Sequence, residues 1–308
     1  MKGIVTKSTG SWYEVFADNS ERLNCRLKGL MRLDETKDTN PVAVGDRVRV
    51  SKDENDWMIE EVESRKNYIV RASPKYKGAR QILAANIDQC LLIATMASPR
   101  TSNGFIDRFL LTAQAYHVPT IIVFNKQDML DPKGQKKLAM MVQIYEQIGY
   151  QTLPTSAVNN EGTEGLKALL ANKTTLLAGH SGVGKSSLMN ALDSSLQLRT
   201  NEVSKITGKG MHTTTFAEMH FASFGARIID TPGVREFGIM DFLPEEISHY
   251  FVEMAALLPH CKFNNCMHEK EPGCAVVAAY HAGKISEERY ISYLNIMEDY
   301  RANWKHWE

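Results

Sequence analysis

Leu176-Leu177-Ala178-Gly179-His180-Ser181-Gly182-Val183-Gly184-Lys185-Ser186-Ser187-Leu188-Met189-Asn190-Ala191-Leu192 decides the fold. It opens on an apolar run, satisfies G-x-x-x-x-G-K-[ST] in the middle and ends in a helical composition. Strand, loop and helix thus come in the order a phosphate-binding loop needs. Glycines let such a loop wrap phosphate oxygens with backbone N–H groups, and the helix start adds the positive end of its dipole. Gly179 through Ser187 are the expected nucleotide-binding residues, with Lys185 neutralising the β- and γ-phosphate oxygens as a catalytic group and Ser186 ligating Mg²⁺. A glycine-rich turn matching by chance is the competing reading, and the register of its flanks argues against it.

Downstream, Asp230-Thr231-Pro232-Gly233 comes directly after Ile228-Ile229, which places a carboxylate at the carboxyl end of a strand, where a second Mg²⁺ contact is needed. Between the two motifs, Gly208–Thr215 is a polar loop; the hydroxyls of Thr213 and Thr214 are expected to complete the metal shell and sense the γ-phosphate, against the plainer reading of an ordinary surface loop. Upstream, short β-branched runs alternate with amphipathic stretches: Cys90–Met96, Phe105–Tyr116, Thr120–Phe124, a helix near 136–148, Gln151–Leu153, a helix near 164–171 and Thr174–Ala178. That alternation predicts a parallel sheet with helices on both faces.

Asn125-Lys126-Gln127-Asp128, just after one of these strands, is N-K-x-D, the guanine-reading signature of the GTPase superfamily. A carboxylate accepts from both N1–H and N2–H₂ of guanine, a paired donor set that adenine lacks, and the lysine stem can lie along the base. Thr155-Ser156-Ala157 resembles the companion motif, in which a backbone N–H near Ala157 reaches guanine O6. Asn125, Lys126, Asp128, Ser156, Ala157, Asp230 and Gly233 therefore join the expected GTP site. In ordinary GTPases the phosphate loop comes first; here N-K-x-D and S-A precede it, a circular permutation. The chain after Gly233 must then leave the nucleotide domain toward the C-terminus, which ties a γ-phosphate-sensitive loop to the C-terminal region.

That region carries Cys261-x4-Cys266-x-His268-x5-Cys274. Three thiolates and an imidazole form a closed tetrahedral set suited to one structural Zn²⁺, with no open position for a catalytic water. Cys25 and Cys90 stand alone, and the spacing speaks for metal over disulfides. At the other end, residues 1–64 read as short strands separated by turns (Ile4-Val5, Trp12–Phe16, Leu23–Leu27, Arg47–Val50, Trp57–Val62), the pattern of a small oligonucleotide-binding (OB) type barrel.

The 308 residues carry 36 Lys+Arg and 36 Asp+Glu, so bulk positive charge alone does not grip a polyanion here; the apolar fraction of 43% excludes a disordered or collagen-like chain. Neutrality is a cancellation. Arg65–Arg80 holds six cations and no acid, set between an acidic N-terminal segment and an acidic tail. This strip reads as a linker, with Arg65, Lys66, Arg71, Lys75, Lys77 and Arg80 as candidate RNA-phosphate contacts and Tyr68 or Tyr76 placed to stack on a base. With no signal-peptide-like start and no apolar run long enough to span a bilayer, a cytoplasmic protein with no membrane partner is expected.

Together these residues closely resemble the circularly permuted, ribosome small-subunit-dependent GTPases, the RsgA or YjeQ family. Val44–Val48 (V-G-D-R-V), the G-H-S-G-V-G-K-S-S loop, the H-T-T triplet, Asp230–Gly238 and the Cys/His tail all match. The resemblance implies a multidomain β, α/β and small α protein. Its parts would be an OB-fold RNA-binding domain (1–72), a circularly permuted P-loop GTPase domain (73–240) and a helical zinc-binding domain (241–308). It implies a monomer that binds the 30S subunit and 16S rRNA, cycles between GTP and GDP with Mg²⁺, and acts in late 30S maturation. Where Ras-like enzymes carry a water-orienting Gln after D-x-x-G, this chain has Val234. His212, before the T-T pair where the family has a functional histidine, is the candidate to orient water instead. A P-loop ATPase or kinase, and a zinc-containing RNA-binding module using nucleotide only as a switch, are the alternatives.

Overall fold

The computed structural model describes residues 1–29, 40–54, 56–72, 80–198, 217–231 and 242–304, with backbone only at 71–72 and 303–304. Strand alternation organises its N-terminal part. In β2 (Tyr13–Ala17) and β3 (Arg22–Leu27), Tyr13, Val15, Ala17, Leu23, Cys25 and Leu27 all point inward, the period of two a strand imposes. With β1 (Lys2–Ser8), β4 (Arg47–Asp53) and β5 (Asp56–Val62) they run in the order β1-β2-β3-β5-β4, and β4 pairs back onto β1. The sheet closes into a five-stranded barrel around Val5, Val48, Val50 and Ile59, with β3 and β5 parallel and the other neighbours antiparallel.

The basic stretch read as a linker is in part a strand pair. β6 (Tyr68–Ala72) runs antiparallel to β7 (Arg80–Ala85), burying Ile69, Val70, Ile82 and Leu83. Burial of these apolar residues outweighs the cations around them. The pair is fixed to the barrel: Ala85 N–H donates to Val44 O at 2.9 Å, and the Asn40 side chain exchanges two hydrogen bonds of 2.8 Å with the Ile82 backbone. Gly45 passes so close, at φ +94°, that an added Cβ would overlap the Ala85 carbonyl oxygen.

The strand-helix alternation expected from Cys90 onward is present. β8 (Gln89–Thr95), α1 (Asn103–Ala115), β9 (Thr120–Asn125), α2 (Pro132–Gln147), β10 (Gln151–Pro154), α3 (Thr163–Leu170), β11 (Thr174–Ala178), α4 (Lys185–Leu192), β12 (Ala217–Phe221) and β13 (Arg227–Asp230) succeed one another along the chain. The strand order is β10-β9-β8-β11-β13-β12, parallel throughout except for β12. Every residue of β8, β9 and β11 is buried, as a sheet covered on both faces requires. β12 also pairs with β1 of the barrel, Lys7 opposite Glu218 and Ser8 opposite Ala217, so barrel and nucleotide domain share one continuous sheet.

The C-terminal region is helical: a 3₁₀ segment (Pro244–Tyr250), α5 (Val252–Ala255), α6 (Ala275–His281) and α7 (Glu287–Trp304). Its core of Ile247, Phe251, Met254, Val276, Tyr293, Ile296 and Met297 is completed by Leu111 of α1, a residue of the nucleotide domain. Among the described residues no helix is long and apolar enough to cross a membrane.

Candidate functional site

Parallel strands deliver the motifs to one edge. β11 ends at Ala178 and hands the chain to the glycine loop; β9 ends at Asn125 and β13 at Asp230. β8 and β13 flank β11, and Leu177 lies opposite Asp230, so that carboxylate sits one strand over from the loop's start and is buried. This is the carboxyl end of an open α/β sheet, where such folds bind ligands.

The loop and the N-K-x-D segment are joined by one side chain. Asn125, 4% exposed, donates from Nδ2 to Val183 O at 2.9 Å and accepts on Oδ1 from Thr155 Oγ1 at 3.1 Å. Phosphate loop, N-K-x-D and T-S-A are thereby tied through a single amide. Gly184 turns at φ +91°, and a Cβ there would come within 2.5 Å of Asn125 Nδ2, so only glycine allows this approach. α4 starts at the next residue, with Ser186 in its first turn and Ser187 exposed. The Lys185 ammonium donates to Gly179 O at 2.8 Å and His180 O at 3.0 Å, which sets its charge across the loop mouth.

Beyond Asn125 the backbone turns left-handed at Lys126, φ 64°. Its Nζ donates to Ser98 O at 2.8 Å, and burial pushes the amine's pKa down, against the opposing pull of Asp128. Ser156 Oγ donates to Asp128 Oδ1 at 2.6 Å and accepts from Asn159 N–H at 3.1 Å, fixing the carboxylate's orientation. Thr155, part of the T-S-A tripeptide, acts as a strut, and two participants carry no mark in the sequence: Ser98, which is distant along the chain, and Phe105, whose ring lies 3.7 Å, centroid to centroid, from that of His180. His212, Thr213, Thr214, Gly233 and Val234 lie outside the described residues.

In the C-terminal region Cys261, Cys266, His268 and Cys274 bring their ligand atoms within 4.8 Å of one another, an arrangement that could hold a metal ion. His268 uses Nδ1, 3.3 Å from Cys274 Sγ and 3.7 Å from Cys261 Sγ. Burial raises the pKa of the Cys266 and Cys274 thiols and lowers that of the imidazole, so each group prefers to be neutral without a cation. Groups unnoticed in the sequence build the ligand loop. The Glu271 carboxylate accepts from the N–H groups of Met267, Glu269 and Lys270, while Tyr290 and Tyr293 of α7 donate to the His268 and Met267 carbonyls at 2.7 and 2.8 Å.

The basic strip divides. Arg65 spends its guanidinium on Asp46, at 2.7 and 2.8 Å, and on Pro41 O; Asp46 is fully buried. That makes Arg65 a structural clamp between strip and barrel. Tyr68, expected to stack on a base, packs against Tyr116 with ring centroids 5.3 Å apart. Lys66 stays mostly exposed beside Asp88, 3.3 Å away, and Arg80 is half-buried at the start of β7. The Arg71 side chain, Lys75, Tyr76 and Lys77 lie outside the described residues. On the barrel itself, Trp12 and Trp57 flank a shallow groove of about 610 Å³ shared with Arg22 and Asn24, and the Arg26 guanidinium lies 4.1 Å from the Trp12 ring.

Known proteins resemble the chain along nearly its whole length. The sequence profile of the RsgA N-terminal domain matches residues 2–57 and that of the RsgA GTPase residues 62–240. The small ribosomal subunit biogenesis GTPase RsgA of Bacteroides fragilis strain YCH46 is 49% identical, covering 97% of each chain. The protein of that name from Porphyromonas gingivalis is 46% identical, covering 98% of each. The crystal structure of YjeQ from Thermotoga maritima superposes with a TM-score of 0.78 at 35% identity, covering 97% of each chain. That of YloQ, a circularly permuted GTPase, superposes with a TM-score of 0.73 at 26% identity, covering 98% of this chain and 95% of its own.

Proposed function

The chain belongs to the RsgA GTPase family, and from that premise we propose that it binds the small (30S) ribosomal subunit and hydrolyses GTP to GDP and phosphate late in that subunit's maturation. The observation that carries the enzymatic part is the convergence on Asn125, which fastens the phosphate loop to the base-reading segment while Ser156 holds Asp128. Guanine would be read by the Asp128 carboxylate, the Lys126 stem and the backbone near Ala157. The phosphates would lie in the loop 179–187 against Lys185 and the start of α4. Mg²⁺, held by Ser186, Asp230 and the switch threonines Thr213 and Thr214, would supply charge neutralisation at the β- and γ-oxygens. His212 takes the water-orienting role that Val234 cannot fill.

The metal of the Cys/His cluster is zinc in this reading. Tetrahedral zinc with bonds of about 2.3 Å to sulfur and about 2.0 Å to nitrogen separates its ligand atoms by roughly 3.5 Å or a little more, and the two sulfurs at 3.3 and 3.7 Å from His268 Nδ1 suit that spacing. We divide the chain into an RNA-binding barrel (1–72), a permuted GTPase domain (73–240) and a zinc-binding domain (241–308), acting as a monomer in the cytoplasm where the subunits are assembled. Contact with 16S rRNA is carried by Lys66, Arg71, Lys75, Lys77 and Arg80 together with the Trp12–Trp57 groove, where arginine and indole surfaces suit unpaired bases.

GTP turnover measured with and without 30S subunits tests the whole reading. Slow hydrolysis alone, stimulated by the subunits and reduced in His212→Ala, is expected. Tight GTP binding with no hydrolysis at saturating subunits would leave only a nucleotide-controlled binding module.

A further inference from the structure

Helix α1 touches both ends of the molecule's chemistry. At its N-terminal side Phe105 lies against His180 of the phosphate loop, and the segment just before the helix supplies the Ser98 carbonyl that receives Lys126 Nζ. Two residues beyond Phe105, Asp107 accepts from Arg289 Nη1 at 2.6 Å and from Tyr145 OH at 2.9 Å. Arg289 belongs to α7, and its other two donors form a fork on Glu253 of α5, at 2.7 and 2.9 Å. The side chains of Asp107, Arg289 and Glu253 are 1, 3 and 7% exposed. The guanidinium carbon also lies 4.4 Å from the Phe251 ring centroid. The next residue, Arg108, pairs with Asp299 of α7, and Leu111, one turn further, sits in the zinc-domain core.

A buried guanidinium shared by two carboxylates is costly to desolvate and strongly directional, so it defines relative position more than it adds stability. Here it fixes the azimuth of α1, because Asp107 and Leu111 are one turn apart on the same helix face. Rotating or sliding the helix by a fraction of a turn would break the pair and pull Phe105 off His180. The lever is short: six residues from Phe105 to Leu111 span about 9 Å of helix.

We propose that Arg289 of the zinc-bearing domain is a positioning residue for nucleotide binding, acting through Asp107 and helix α1 to hold Phe105 against the phosphate loop. The zinc domain is then part of the architecture of the GTP site through Arg289, a residue outside both the loop 179–187 and the base-reading segment 125–128. By linkage, whatever displaces that domain also loosens nucleotide, and bound nucleotide strengthens its docking to the same degree. This rests on the guanine-nucleotide reading of the loop.

A double-mutant cycle on the full-length, zinc-loaded chain tests it, with a fluorescent GDP analogue as probe and circular dichroism to establish folding. Arg289→Lys keeps the charge and loses the fork, and is expected to weaken GDP binding about fivefold. Phe105→Ala weakens it by at least as much. The combination is expected to match Phe105→Ala alone, because the arginine acts through that ring. Should Arg289→Lys fail to fold, Glu253→Gln removes one arm of the fork at constant shape and replaces it in the cycle. Effects that multiply independently, or an arginine variant with lowered melting temperature and unchanged GDP affinity, overturn the proposal and leave Arg289 as structural cement. If the unsubstituted chain bound no GDP, the nucleotide reading itself would fall, a result distinct from either outcome of the cycle.

Discussion

Asn125 belongs to the guanine-reading signature, yet both polar atoms of its amide are spent on the protein, so its replacement separates two roles the motif usually merges. In Asn125→Ala the Val183 carbonyl and the Thr155 hydroxyl, both in fully buried residues, lose their partner. Each unsatisfied buried group costs about 1–3 kcal/mol. With relaxation absorbing part of this, about 2–3 kcal/mol remains at the loop, which corresponds to about 30- to 150-fold in nucleotide affinity. The loss falls on the phosphate cradle and on the placement of the whole base-reading segment, and it leaves in place the Asp128 carboxylate that would read the N2 amino group. GDP and IDP, which differ only in the N2 amino group that Asp128 would read, should therefore weaken by the same factor, while Asp128→Asn should collapse the preference for GDP over IDP. Competition titrations against a fluorescent analogue at 25 °C, with folding checked by circular dichroism, give both constants. If Asn125→Ala changed the GDP-to-IDP ratio more than about fivefold with IDP affinity intact, the side chain would be a base reader and its role as a strut would be refuted.

Residues at three other places carry their own expected outcomes. Arg65→Ala leaves the fully buried Asp46 carboxylate without its cation, so it should cost about 3–5 kcal/mol of stability in denaturant titrations; Lys66→Ala should cost almost none but lower the salt slope of 30S binding by about one, and the reverse pattern would return Arg65 to the rRNA interface. Asp193 accepts hydrogen bonds from Ser195 Oγ at 2.6 Å, Ser195 N–H at 2.9 Å and Ser223 N–H at 2.6 Å, which hold its carboxyl well below the usual range. A depressed folded-state value means the unfolded chain takes up the proton first as pH falls. The contribution is thus complete at neutral pH and is lost as pH drops below about 4. Asp193→Asn should cost about 1–3 kcal/mol at pH 7, with the gap to the unsubstituted protein closing in acid; a gap constant down to pH 3 would refute the assignment. Chelating the cluster metal should lower the melting temperature by at least about 5 °C and open Cys266 and Cys274 to thiol reagents, whereas unaltered melting and reactivity would show a cluster that needs no ion.

The nucleotide motifs were legible because each lies in one contiguous turn of chain at the end of an apolar run, and the barrel strands were legible because burial on one face writes period two into the sequence. The four residues of the Cys/His cluster were readable for the same local reason. What stayed hidden depends on pairings distant in sequence. Nothing near Arg289 marks Asp107 as its partner, nothing near Lys7 marks Glu218, and Leu111 is one apolar helix residue among many. The charge density of the basic strip is visible in a sequence, whereas the buried acid that pairs with Arg65 lies nineteen residues away. The contact of half-buried Tyr68 with Tyr116 is likewise a pairing between residues distant in sequence.

The pairing of β12 with β1 closes off a mode of recognition. In an open α/β sheet the outermost strand offers a row of unpaired N–H and C=O groups to which a partner peptide can add its own strand. Here the strand that would be outermost on the phosphate-loop side already has the barrel along part of its length, joined by the Lys7–Glu218 ion pair and the contact of Phe16 with Phe221. The opposite margin is β10, only four residues long. Peptide effectors that dock by extending a sheet are poorly served at either end of this one, which leaves loops, helix faces and the barrel's outer wall around it to meet a partner. A rigid, irregular surface such as folded RNA is suited to being gripped that way.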